Sequence, residues 1–176
     1  MMRTPGAQTI QEPKPPQALV LDDMRLNDEF AQRDFRLGWD PLDEVHEEFV
    51  HLVRMLAIAT DDEVARALRA VQQHCQGHFG QEDAWMKETG FPAFACHAQE
   101  HAAVLASIDG VLRKVAAGDF QAARRLADAL MEWFPAHADH LDSALAHWMC
   151  HRRLGGKPVV LHRPIARPAG ADAQAT

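Results

Sequence analysis

Four stretches of the chain repeat apolar residues in alternating steps of three and four, and in each the repeat is broken by a histidine on the side that should face inward. The first, about 41 to 59, places Leu42, Val45, Phe49, Leu52, Val53 and Leu56 on one side, with His46 among them. The second, about 62 to 87, runs Val64, Leu68, Val71, Cys75, His78, Glu82, Trp85. The third, about 92 to 116, runs Phe94, His97, His101, Val104, Ile108, Val111, Val115, and the fourth, about 119 to 153, runs Leu126, Leu130, Trp133, His137, Leu141, Leu145, Trp148. A mean step near 3.5 residues is that of helices packed on helices. The breaks between them, at Thr60-Asp61, Thr89 to Pro92 and Ala117-Gly118, are short enough to force neighbours antiparallel. The expected fold is all-α: an up-down-up-down antiparallel four-helix bundle with an extended N-terminal arm.

At 176 residues the chain suits one domain with a real core. Proline recurs among Gly, Gln and Thr at both ends, so residues 1–36 read as an N-terminal extension, 37–154 as the bundle and 155–176 as a C-terminal tail. A short helix is expected around Asn27 to Phe35. The balance of 18 Lys+Arg against 25 Asp+Glu offers no basic cluster for phosphates, which argues against nucleic acid as a partner. No run is apolar enough for a signal peptide or a membrane span. The three cysteines, Cys75, Cys96 and Cys150, have no CxxC spacing and read as reduced thiols. A cytoplasmic protein is expected.

Helical geometry then decides what the histidines are for. His97 and His101 lie one turn apart on one face, and so do His78 and Glu82. His46 sits early in the first helix, His78 and Glu82 late in the second, His97 and His101 early in the third and His137 past the middle of the fourth. In an antiparallel bundle these positions converge at one level. An imidazole buried without a partner costs roughly 1 to 3 kcal/mol and a carboxylate more, so such a band is a poor core unless something binds it. Five imidazoles and a carboxylate are a hard-to-borderline donor set, suited to iron, manganese or zinc. They are too many for one tetrahedral ion, and two ions bridged by carboxylate fit better. The same HxxxH spacing at His147 and His151 shows that the pattern alone is cheap, and that pair reads as surface or as a neighbour of the ligands.

LGWDPLDEVHEEFV, HFGQEDAWM, HAQEH and WFPAHADHLD, in that order, resemble the four helix motifs of the hemerythrins, in particular the stand-alone bacteriohemerythrins, over about residues 37 to 150. The resemblance implies a non-haem di-iron centre with an oxo or hydroxo bridge. One iron would be held by His97, His101 and His137, the other by His46 and His78, with Glu82 and Asp142 bridging. It further implies reversible binding of dioxygen for storage, delivery or sensing rather than an enzyme, in a pocket lined by Phe49, Phe79, Trp133 and Phe134. Asp142 is carried over from the motif alone: it stands five residues after His137, about 140° round an α-helix, and His140 is a rival. Val45 replaces a glutamine often found before the first-helix histidine, and Ala138 stands where a larger apolar residue is usual. Pro135 is expected to kink the fourth helix or to start it anew. His74, one turn before His78, is either a hydrogen-bonding neighbour of the centre or solvated.

Other readings have less support in the residues. Ferritin-like oxygenases use two Glu-x-x-His pairs, and only Glu48 with His51 has that spacing; HEEFVH is not a zinc HExxH motif. A regulatory or repair module that senses oxygen or nitric oxide, or donates iron, would use the same site, with the N-terminal extension as a candidate contact for a protein partner.

Overall fold

The computed structural model describes residues 25–153 and 155; the expectations for the first 24 residues and for the tail from 156 onward fall outside them. Residues 25–32 form a short helix, α1, which ends earlier than the sequence suggests, so that residues 34–36 are an irregular strap rather than helix. Then follow α2 (Asp40–Ile58), α3 (Val64–Thr89), α4 (Phe94–Ala116), α5 (Gln121–His137), a π-helical turn (Ala138–Asp142) and α6 (Ser143–Arg153). Helices α5 and α6 and the turn between them form one rod, so the bundle has four: α2, α3, α4 and α5/α6. Each packs on the next, and the fourth returns to the first.

Local chemistry sets the boundaries. Helix α2 begins with Asp40, Pro41 and Asp43, a proline where no donor is missed and acids where the helix dipole favours them. The Asp43 carboxylate also accepts the Leu37 and Gly38 N–H groups at 2.6 and 3.0 Å, which ties the strap to this helix. Helix α3 stops at Gly90, whose left-handed conformation (φ 66°) lets Phe91 N–H reach back to the Met86 carbonyl. Pro135 neither ends nor restarts the fourth rod; α5 runs through it to His137.

The apolar interior is split into layers by a polar band. On one side lies the main core, where Phe49, Val53, Leu68, Cys75, Ile108, Leu130 and Phe134 are fully or almost fully buried. On the other lie two smaller clusters, Leu37, Trp39, Leu42 with Ala146, and Met86, Phe91 with Leu145. Between them every rod contributes polar side chains, and His46, His78, Glu82, His97, His101, His137 and Asp142 are each no more than 4% exposed. Among the described residues no helix is long and apolar enough to cross a membrane. All three cysteines are free thiols, with Cys75 inside the main core, where burial pushes it up to about 12.

Candidate metal centre

Each rod places its donors by its own periodicity. Helix α2 supplies His46, α3 supplies His78 and Glu82 one turn apart, and α4 supplies His97 and His101 one turn apart. The fourth rod supplies His137 at the end of α5 and Asp142 at the end of the π turn. In that turn the Ser143 N–H bonds to the carbonyl of Ala138, five residues back, so the wider turn brings residues five apart onto one face. This removes the 140° misalignment that straight helical spacing assigns to Asp142. His140, the rival, is exposed.

All five imidazoles turn Nε2 inward, and the two carboxylates divide their oxygens between them. Glu82 puts Oε2 3.2 Å from His97 and 3.3 Å from His101, and Oε1 2.6 Å from His78. Asp142 puts Oδ1 3.1 Å from His97 and 3.2 Å from His137, and Oδ2 3.1 Å from His46. Each carboxylate therefore faces three-histidine and two-histidine groups with different oxygens. The donor atoms fall accordingly into two overlapping sets, Glu82 with His97, His101, His137 and Asp142, and Glu82 with His46 and His78.

The outward Nδ1 atoms explain how the rings are held. His46 Nδ1–H donates to the carbonyl of Phe35 in the strap at 3.1 Å, His101 Nδ1–H to Asp83 at 3.0 Å and His137 Nδ1–H to Glu100 at 3.0 Å. A proton fixed on Nδ1 leaves Nε2 with its lone pair free. Glu100 also accepts the Trp133 indole N–H at 3.2 Å. Asp83, Glu100 and the Phe35 carbonyl were not legible in the sequence. The acids adjoin Glu82 and His101 in the chain, but nothing in helical spacing says which ring each meets.

Despite their proximity, His46 Nε2, His78 Nε2, His101 Nε2, both Glu82 oxygens and both Asp142 oxygens make no hydrogen bond. Fully buried lone pairs aimed at one another without shared protons are costly for a protein and are what a cation satisfies. Electrostatics agree. Burial and the neighbouring Asp142 oppose ionisation of Glu82, but His101, His78 and His97 outweigh both and hold it well below the usual carboxylate range. Burial likewise opposes ionisation of Asp142, and His137, His46 and His97 outweigh it. Burial disfavours the charged form of His97, yet Asp142 and Glu82 raise it to about 9. The donor set thus fits positive charge at its centre, supplied by protons or by metal.

The aromatic residues singled out in the sequence surround this cluster. Phe79 stacks on His101 with centroids 4.2 Å apart, Trp133 lies 4.3 Å from His137, and Phe134 meets His46 edge-on at 5.1 Å and Phe49 at 4.4 Å. His74 is half-buried, its ring covered rather than solvated, and its Nδ1 faces Glu48 Oε2 at 3.3 Å. His147 is exposed and His151 half-buried, away from the cluster. Ala138 is buried and Val45 half-buried.

Residues 37–148 match the model of the hemerythrin HHE cation binding domain. The chain is also similar to a bacteriohemerythrin of Ralstonia nicotianae (strain ATCC BAA-1114 / GMI1000). The two are 38% identical over 116 residues, covering 66% of this chain and 85% of that protein. No solved structure gives a significant match.

Proposed function

The chain belongs to the hemerythrin HHE cation-binding family, and from that premise we propose that it binds dioxygen reversibly at a pair of non-haem iron ions. The observation that carries this reading is the division of the Glu82 and Asp142 oxygens between a three-histidine and a two-histidine group. In it, His97, His101 and His137 would hold one ion, His46 and His78 the other, and Glu82 and Asp142 would be shared between them. When bound, the iron pair supplies the electrons that dioxygen draws on. The two-histidine side offers one imidazole fewer, which would leave an ion held there a position for a small ligand.

The remaining work is done by the chain. Asp83, Glu100 and the Phe35 carbonyl keep three rings in the tautomer that ligates. Phe49, Phe79, Trp133 and Phe134 line the ligand pocket and exclude water, which slows oxidation that cannot be reversed. Two carboxylates against five imidazoles give little anionic charge to stabilise highly oxidised iron, so binding is favoured over substrate oxidation. The free thiols fit a reducing compartment, and we place the protein in the cytoplasm.

Metal analysis and exposure of the reduced protein to air test this together. Two irons per chain and charge-transfer bands that appear in air and fade under vacuum are expected. Continuous oxygen consumption, or an iron-loaded protein that stays colourless in air, would overturn it.

A further inference from the structure

A centre this deeply buried needs a way in for its metal, and the openings around it differ in what they offer a cation. Beside the strap, a cavity of about 340 Å³ reaches His46, but two of its three acids are engaged and it carries two cations. Asp43 accepts two backbone N–H groups, Asp34 is bound by Arg36, and Arg33 lies alongside. The His46 ring is closed off there by its bond to the Phe35 carbonyl. Between α4 and α5 a groove of about 370 Å³ ends on Glu100, whose carboxylate is already shared by Trp133 and His137.

The groove between α2 and α3 is different. It measures about 460 Å³ and is lined by Val45, Glu48, Leu52, His74, Gly77 and His78, among others. Glu48 stands at its mouth with its side chain 64% exposed, and His74 lies inside at 6%. The His74 ring faces Glu48 with Nδ1, while Nε2, on the opposite edge, is buried and has no partner. One turn further along α3 comes His78, its ring 5.4 Å from that of His74, and one more turn brings Glu82. A carboxylate in water, a buried imidazole with a spare nitrogen and two donors of the centre thus form a ladder from the surface inward.

We propose that this groove is the route by which a hydrated divalent cation reaches the centre, with Glu48 and His74 as its staging ligands; the inference rests on the metal-binding reading given above. Glu48 draws the ion to the mouth and replaces one of its waters. His74 replaces another and passes the ion to His78 and Glu82, where the remaining waters are shed. No electron is transferred and the ion stays divalent throughout. His74 does not belong to the final donor set, so the route and the centre are separable.

Timed uptake of ferrous ion by metal-free full-length protein without oxygen, quenched with a chelator and read as bound iron per chain, tests the route. Glu48→Gln and His74→Ala are expected to fill on the order of tenfold more slowly than the unaltered protein, to the same final content. Gly77→Leu, which leaves every donor in place and adds bulk where a Cβ meets nothing within 4 Å, is expected to slow filling as well. Glu47→Gln, on the strap side, is expected to fill at the original rate. Circular dichroism checks folding, and if His74→Ala does not fold, the other two variants decide. Equal rates for all variants at full content overturn the route and leave the centre standing. So does a lower final content in His74→Ala, which would make that residue a ligand. An unaltered protein that takes up no iron overturns both readings.

Discussion

Asp142 Oδ1 lies 3.2 Å from His137 Nε2 although five residues separate them, because the chain between is wound as a π turn. The turn is what aims a carboxylate from the fourth rod at the histidines of the other rods. Asp142→Ala should therefore remove most of the bound iron, since His46, His97 and His137 all lose the oxygen they face. His140→Ala, an exposed side chain on the same turn, should leave iron content unchanged. Loss on both substitutions, or on His140→Ala alone, would contradict the assignment.

The two HxxxH pairs should separate in the same measurement. His101 is 1% exposed and faces Glu82, whereas His151 is half-buried on α6 and reaches no donor of the cluster. His101→Ala is expected to lose most of the metal and His151→Ala none. Equal iron in the two purified variants would count against the centre as described.

Glu100 is expected to act at a distance from the metal. Its carboxylate orients the His137 ring and latches the Trp133 indole above it. Glu100→Ala should weaken metal affinity by roughly 10- to 100-fold, the usual cost of losing the partner of a ligating histidine. Competition with a chromophoric chelator measures this. A change in thermal stability with no change in affinity would show that the residue only packs.

Much of this arrangement could be read from residues alone, and the parts that could not have physical causes. The 3.5-residue repeats gave the four rods, and the two i,i+4 pairs gave four donors, because helical geometry carries that information locally. Asp142 needed family resemblance, since a π turn has no periodic signature in sequence. Asp83, Glu100 and the Phe35 carbonyl were invisible because their partners come from other rods or from an irregular strap. Helix α1 ends short of its apolar pattern for a related reason. Phe35, at the edge of an apolar pattern, is buried by long-range packing against Phe134 at 4.9 Å and not by continuing the helix.

Phe134 joins the apolar core to the centre and should reveal it when removed. It is fully buried and meets Phe30, Phe35, Phe49 and His46. Phe134→Ala is expected to destabilise the fold by about 3 to 5 kcal/mol in urea unfolding, through lost burial and the cavity left behind. Ile58→Ala, at a side chain 64% exposed, should change stability by less than about 0.5 kcal/mol. A small effect at Phe134 would mean that α1 and the strap do not close over the core as described.

The pH dependence of the metal-free protein follows from the same cluster. His97 is raised from its ordinary 6.5 to about 9, so its stabilisation is fully present below 6.5 and is lost as pH rises through about 9. Glu82 and Asp142 are lowered from 4.5 and 3.8, so theirs is present above those values and is lost as pH falls. The metal-free melting temperature should therefore be highest between these limits and decline on both sides. Metal must displace the His97 proton, so the rise in melting temperature on loading should grow as pH increases from 6 to 9. Thermal scans of stripped and loaded protein across that range check both parts. A metal-free protein that gains stability steadily up to pH 9 would show that protons do not fill this cluster when metal is removed.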